Sequence, residues 1–453
     1  MTILPLLLCL EPILSNTSLR QVAIICEAVF TMTGRITMLG ISRWTNQGGS
    51  YRTLQRFFAT KLPWLNILWL FFRHQLYQPD ETYLLAGDET VVTKAGKQTH
   101  GVDRFFSGLL QKPVGALGFF ALSLIAVKEH RSYPVSLEQV IKTSQEKETA
   151  KAKQANRNKP TQKRAKGEST PLGRKKGSKN RDKSKIDFSA ELTRIDAAIA
   201  ALLNLIGGFL PLTYLVLDGH FGHHQAVLMG RKNNLHLISK LRRDAALHEA
   251  FDGVYSGRGR RPKYGKRLDM KNLPIQHLVK TTREEQWVTQ YYQRVVLHKE
   301  FAQALNVVIL VKTNLRTQKQ GQVILFSSDL ELAYELLVEY YGLRFQIEFN
   351  FRDAKQHFGF EDFMNRSEEG VRNAANLSFF LVNLSEKQLQ DWTSGSPNSG
   401  ILDLKCYYRG LKYAKETIKM LLKKPEPILL EMIIEQIGSL GRIHSQKATA
   451  TSS

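Results

Sequence analysis

Cysteine is almost missing from this 453-residue chain: Cys9, Cys26 and Cys406 lie far apart, with no CxxC spacing. That excludes a disulfide framework and a thiolate metal centre, and it suits a reducing cytoplasm in which thiols are ordinary core residues. Long apolar runs are missing too. Residues 1–10 are apolar but lack a basic leader and are broken by Pro5 and Glu11; residues 62–72 make a run of about 11, where a bilayer needs about 20. Both are expected to be core of a soluble protein with no membrane partner. Acids are scarce, 41 against 64 Lys and Arg, so the formal charge is +23. Such a balance favours a polyanionic partner, and no long amphipathic basic helix argues for lipid.

What is present is densest in the last third. No proline interrupts residues 330–357 and only Gly342 weakens them, which predicts one continuous helix. At roughly 100° per residue, Tyr341, Arg344, Glu348, Arg352 and Lys355 fall within about 80° of one another, while Leu343, Ile347, Ala354 and Phe358 take the opposite side. A solvated face laced with Arg344–Glu348–Arg352 pairs would look the same. Two upstream stretches add to this. Residues 82–88 (Thr-Tyr-Leu-Leu-Ala-Gly-Asp) and 213–218 (Thr-Tyr-Leu-Val-Leu-Asp) are short apolar runs closed by an aspartate, the pattern of strands buried on both faces. The carboxyl ends of such strands are where α/β sheets bind ligands, although a lone Asp there is often only a cap or turn residue. Two such aspartates and a helical glutamate make an all-oxygen pocket suited to Mg²⁺.

The spacing Tyr341, Arg344, Glu348, Lys355 resembles the Tyr-Arg-Glu-Lys signature of DDE transposases of the insertion sequence four group. Asp88, followed by Glu89-Thr90, and Asp218, in Asp-Gly-His-Phe, are similar to the contexts of that family's first two catalytic acids. The resemblance implies a ribonuclease H-like α/β fold: a mixed sheet flanked by helices, with a β-rich insertion, an N-terminal helical DNA-binding domain and C-terminal helices. It also implies two Mg²⁺ per active site, with Mn²⁺ able to substitute, held by Asp88, Asp218 and Glu348. The partners implied are double-stranded DNA, as transposon ends and target, and a second protomer in the synaptic complex. Tyr341, Arg344 and Lys355 would grip the transposon end, with Arg352 beside them. The protein would act in a prokaryotic cytoplasm, associated with the nucleoid.

In chain order, residues 1–78 are expected to form the helical DNA-binding domain. Residues 18–32 are a helix candidate opened by a serine, residues 34–40 look like the first helix of a helix-turn-helix, and Ser50 caps a helix at residues 51–58. On that last helix Arg52, Gln55 and Arg56 point outward together, as a recognition helix requires and as a solvated basic face also allows. Residues 79–141 begin the catalytic core, with strands at 114–127 and 132–137; Lys94, Lys97, His100, Asp103 and Arg104 form a polar loop read as facing substrate, with Asp103 left out of the metal site for want of a strand before it. Residues 142–187 are a basic insert, expected to be disordered without DNA; between 147 and 185 it holds fifteen Lys or Arg against three acids.

The core resumes at 188–240 with a helix at 188–205 and a strand at 235–240. His220, His223 and His224 follow Asp218, but no fourth ligand at zinc spacing accompanies them. Residues 241–327 read as a β-rich insertion, with strands at 289–297 and 307–312 and a Gly-Arg-Gly-Arg-Arg-Pro-Lys loop weakly suggestive of a minor-groove hook. Trp287 is either a buried core residue or a stacking platform for an unpaired base. Residues 328–368 complete the core with the signature helix. Residues 369–444 hold three more helices, either part of the core or a pairing surface, and 445–453 a loose tail. The reading is Mg-dependent strand cleavage and transfer at terminal inverted repeats. Its rivals are a metal-dependent endonuclease that cuts without joining and an inactive DNA-binding relative.

Overall fold

The computed structural model describes residues 3–45, 49–108, 110–157, 182–393, 399–421, 425–440 and 443. The chain divides into two compact units, Met1–Val140 with Ala201–Pro211 and Phe345–Ser453, and Ile141–Ala200 with Leu212–Arg344. The architecture is the mixed α/β one expected of a ribonuclease H-like core, strands flanked by helices.

The first unit opens with helices α1 (Leu4–Leu7), α2 (Asn16–Thr31), α3 (Met38–Trp44), α4 (Tyr51–Ala59) and α5 (Trp64–Phe71). Helices α2, α3 and α4 start on hydroxyl caps: Ser15 accepts from the Ser18 N–H, Thr37 from Gly40 and Ser50 from Thr53. Two expectations are corrected here. The cap of α2 is Ser15, not Ser18, and residues 34–37 are not helical, with Gly34 at a φ of 77° and Thr37 extended as a cap, so the short helix before α4 begins at Met38. The apolar run around residue 67 is core, with Trp64, Ile67, Leu68 and Phe71 all buried.

Four strands follow: β1 (Tyr83–Thr93), β2 (Asp103–Ser107), β3 (Lys112–Ala126) and β4 (Arg131–Val140). The antiparallel β1–β3 ladder runs from Tyr83 opposite Ala126 to Thr93 opposite Ala116. The other edge of β3 pairs first with β2 and then with β4. Asp103 is therefore the first residue of a strand, where a loop was expected.

The second unit starts with α6 (Ser144–Arg157) and most of α7 (Ala190–Ile206). The helix α6 overturns the expectation of disorder for its span. Thr143 and Glu146 form a reciprocal cap, and the Glu146 carboxylate takes two 2.9 Å hydrogen bonds from the Arg194 guanidinium, which hold its pKa down at about 2. The patches at 159–161 and 173–177 lie outside the described residues. Next come β5 (Tyr214–Val216), α8 (His224–Lys232), β6 (His236–Leu241), β7 (Leu247–Ala250), β8 (Tyr264–Arg267), β9 (Leu278–Glu284), β10 (Trp287–His298), β11 (Ala304–Asn314), β12 (Gln320–Ser327) and α9 (Tyr334–Leu343). Strands β5 and β6 are parallel and joined through α8, and the path continues antiparallel through β12, β11 and β10.

The first unit resumes with α10 (Gln346–His357), α11 (Glu368–Thr393), α12 (Ile401–Met420) and α13 (Pro427–Ser439). The single helix expected over 330–357 is thus two. It starts late, at Tyr334, and Arg344 and Phe345 interrupt it although both keep right-handed helical angles. Gly342 weakens the last turn of α9, and the Arg344 N–H bonds back to the Gly342 carbonyl, which tightens the backbone there.

Helix α11 is the post around which the N-terminal helices gather. Asn373 is fully buried; its side-chain oxygen accepts from the Trp64 indole at 2.7 Å, and its amide donates to the carbonyls of Phe58 at 2.8 Å and Thr60 at 2.7 Å. Replacing Asn373 by Leu strands the buried Trp64 indole and Phe58 carbonyl and the part-buried Thr60 carbonyl, at an expected cost of roughly 3–5 kcal/mol. Urea denaturation measures it, and a loss below about 1 kcal/mol contradicts this account.

Candidate active site

Asp88 sits at the middle of β1, half-buried, with one carboxylate oxygen accepting from the Glu89 N–H at 2.8 Å. Which face its side chain occupies follows from register. Ser123 lies directly opposite Ala86, so those two side chains share a face, and Asp88, two residues on from Ala86, shares it as well. Helix α10 covers that face. The buried amide of Asn350 donates to the Ser123 hydroxyl at 3.1 Å and to that of Ser132 at 2.8 Å.

At its far end α10 is tied to β1 directly. The Lys355 ammonium reaches the Val91 carbonyl at 3.1 Å and stands 3.5 Å from the Glu361 carboxylate. Asp88 therefore falls, along the strand, between the two points where the helix is anchored. Glu348 is seven residues before Lys355, about 20° away around the helix, so it lies on the stripe that meets β1. The apolar stripe of Ile347, Phe351 and Ala354 is buried and presses this arrangement together. Asp88 and Glu348 thus belong to a strand and a helix that are tied to one another.

Asp218 belongs to the second unit and follows β5. Its side chain caps a short 3-10 turn at Gly219–Phe221 by accepting from the His220 N–H at 3.1 Å, and its carbonyl accepts from the Ser239 hydroxyl at 2.6 Å. The turn is held tight: a Cβ at Gly222 would fall 2.1 Å from the Lys240 carbonyl. Nearby, His220 pairs with Glu191 at 3.1 Å, which holds the Glu191 carboxyl below its usual range. His223 caps α8, and burial lowers its pKa; His224 stands with Nε2 at the Lys183 carbonyl and Nδ1 accepting from the Ala302 N–H.

The remaining candidates are divided between the two units. Tyr341 is on α9 and Arg344 in the break after it, both half-buried and both in the second unit, whereas Glu348, Arg352 and Lys355 are in the first. Arg352 donates to Asp353 at 2.8 Å and lies 4.6 Å over the Phe349 ring, lining a cavity of about 470 Å³ bounded by α10, α11, the start of α12 and the start of β4, to which Glu348 does not contribute. On α4, Arg52, Gln55 and Arg56 are exposed while Leu54, Phe57 and Phe58 are buried. Trp287 is 36% exposed with the Lys312 ammonium 5.0 Å from its ring, so the buried-core reading of it is wrong.

Lys94 is also corrected. Its ammonium is folded inward, donating to the carbonyls of Phe363 at 2.7 Å and Glu361 at 3.2 Å and lying 3.7 Å over the Phe363 ring, so it serves the fold and not substrate. Asn350 and these Lys94 contacts escaped sequence reasoning. An Asn three residues after Ile347, on an otherwise apolar stripe, was the available signal for the first.

Among the described residues, no three His, Cys, Asp or Glu side chains are gathered closely enough to hold a metal ion. The donors themselves fit a hard cation: Asp88, Asp218 and Glu348 offer oxygen alone, and Mg²⁺ is held by one or two carboxylates plus water and substrate phosphates without a full protein cage. Compared with known families, the chain matches the model described as DDE superfamily endonuclease over residues 9–295, and it belongs to that superfamily. The match includes Asp88 and Asp218 and ends before α10. No curated protein matches the chain. Membership makes it a nuclease-type enzyme with DNA as substrate, in a superfamily that generally uses divalent metal ions.

Burial lowers the Lys94 pKa from 10.5 to about 8. A lysine whose folded pKa is depressed opposes folding fully below that pKa, and the penalty disappears as pH rises through the unfolded value. Stability relative to Lys94→Met is therefore expected to rise between about pH 8 and 10.5. Chemical denaturation across that range checks it; parallel curves for the two proteins contradict it.

Proposed function

We propose that the protein is a DNA transposase that binds the terminal inverted repeats of an insertion sequence and performs Mg-dependent strand cleavage and strand transfer. The observation that supports this most is the seating of α10 on the Asp88 face of β1, with Glu348 on the stripe meeting that strand, in a chain of the DDE endonuclease superfamily. Asp88, Asp218 and Glu348 are the proposed metal ligands. Bound divalent ions would supply charge neutralisation and a water or 3′-hydroxyl of lowered pKa. Asn350 and Lys355 hold Glu348 in position through the sheet. Arg344 suits a phosphate through its fork of donors, and Tyr341 stands one helical turn before it. The exposed donors of α4 read the end sequence, and Trp287, with Lys312 beside it, offers a face on which a base can stack. The reading places the protein in a prokaryotic cytoplasm, at the nucleoid, as a homodimer when two ends are synapsed.

The test uses purified protein, Mg²⁺ and DNA carrying the inverted repeats of its own element. Asp88→Asn, Asp218→Asn and Glu348→Gln are each expected to lower cleavage by about two orders of magnitude or more while a gel-shift assay shows DNA still bound. A variant that keeps near-normal cleavage removes its residue from the site. Cleaved ends that never join target DNA would reduce the function to an endonuclease.

A further inference from the structure

The Gly-Arg-Gly-Arg-Arg-Pro-Lys run of residues 257–263 takes no part in the site described above. It lies in the loop that joins β7 to β8, the strand at which the path of the sheet ends. Residues 252–263 are all exposed, Val254 at 99%, so the loop stands out as an arm that the rest of the described chain does not cover.

The base of this arm is stiff. The Phe251 N–H donates to the Lys263 carbonyl at 3.2 Å, and the Lys263 ammonium donates to the Ala302 carbonyl at 3.1 Å. The Arg261 guanidinium donates to the Gly253 carbonyl at 3.3 Å and lies 5.6 Å over the Phe251 ring. Those two cations thus serve the loop itself. Nearer the tip, the Tyr255 hydroxyl donates to the Arg258 carbonyl at 3.0 Å and draws the two sides together. The turn calls for glycine on both sides of Arg258: Gly259 has a φ of +111°, and a Cβ at Gly257 would lie 3.1 Å from the Tyr255 ring. Arg258 is therefore carried between two residues without side chains, at a slender tip.

Charge is concentrated here and left uncompensated. Residues 251–267 hold Arg258, Arg260, Arg261, Lys263, Lys266 and Arg267 against one acid, Asp252. Arg258, Arg260, Lys266 and Arg267 are exposed, and among the described residues none of the four enters an ion pair. On β8, Lys266 and Arg267 can be read as cations that keep a sheet edge from pairing with another chain. That explanation does not reach Arg258 and Arg260, which lie beyond the paired residues.

Geometry selects among polyanions. Contact with backbone phosphates alone would be met as well by lysines and would not require a narrow tip. The minor groove of B-DNA is about 6 Å wide, and where A·T pairs narrow it further its negative potential attracts inserted arginine. Double-stranded RNA presents a wide, shallow minor groove that such a tip does not fill. We propose that the β7–β8 arm enters the minor groove of A·T-rich duplex DNA with Arg258 and Arg260, giving the protein a sequence preference apart from the donors of α4. This deepens the transposase reading, on which it rests only in taking DNA as the partner.

Fluorescence anisotropy of the full chain, without divalent metal, tests it on three short duplexes that lack inverted repeats. One is A·T-rich, one is G·C-rich, and the third is the G·C-rich sequence with inosine for guanosine, which removes the minor-groove amino group and leaves the major groove unchanged. The parent is expected to bind the A·T and inosine duplexes about 10-fold more tightly than the G·C one. Arg258→Ala/Arg260→Ala should bind all three alike, with thermal unfolding unchanged because both side chains are exposed. Gly259→Ala keeps every charge but strains the turn, and should lose the preference as well. A loss of affinity by the same factor on all three duplexes signifies phosphate contact alone and overturns the proposal. So does a parent that binds the three alike, a preference that survives the double substitution, or double-stranded RNA bound as tightly as A·T DNA. The expected preference in a chain that never joins DNA ends would support the arm and count against the transposase reading alone.

Discussion

The seating of one helix on one strand is the constraint on which the chemistry proposed for the first unit depends. Helix α10 has a buried apolar stripe, but apolar packing alone is non-directional and would tolerate a shift along the sheet. The Asn350 amide removes that freedom, because sliding would strand a buried polar group away from the Ser123 and Ser132 hydroxyls at a cost of about 1–3 kcal/mol. Lys355 adds a second tie at the Val91 carbonyl. Asp88 lies on the strand between these two points, and Glu348 lies on the helix two residues before the Asn350 tie. The acids are held by a helix–sheet layer, which fixes position better than loops do.

Asp218 is held differently. It ends a three-residue strand and caps a single turn, and Ser239 and the crowding of Gly222 against Lys240 fix that turn. Its local role as a cap is compatible with chemistry, since a carboxylate accepting one backbone N–H keeps further lone pairs. The histidines that follow have structural partners of their own in Glu191, the α8 N-terminus and the Lys183 carbonyl.

Much of the fold was legible. The apolar runs before Asp88 and Asp218 are strands, but β1 continues past Asp88 to Thr93, so that aspartate sits mid-strand and not at a strand end as expected; the strands around residues 120, 135, 238, 293 and 310 follow from β-branched and aromatic content. The helices after residue 368 follow from periodicity. Errors arose where a local cap or a tertiary contact outweighed pattern. Thr143 and Glu146 build a cap for α6 inside a segment whose composition argued against structure, and Arg194 locks it. The helix from residue 334 breaks at Arg344, in a stretch whose periodicity continues unbroken. Lys94 looked like a substrate contact because polarity was the only information available, and its true partners are backbone carbonyls more than 260 positions away. Of the site, the residue types and their strand or helix setting were visible; the anchoring of α10 was not, because it depends on hydroxyls from two other strands.

The central claim is that Asp88, Asp218 and Glu348 share bound metal, and the most direct measurement replaces Mg²⁺ by Fe²⁺ and maps where locally generated hydroxyl radicals cut the polypeptide in the DNA-bound protein. Cuts clustered around residues 88, 218 and 348, suppressed by excess Mg²⁺, are the predicted result. Cuts confined to one of these positions, or a pattern indifferent to Mg²⁺, would contradict the account.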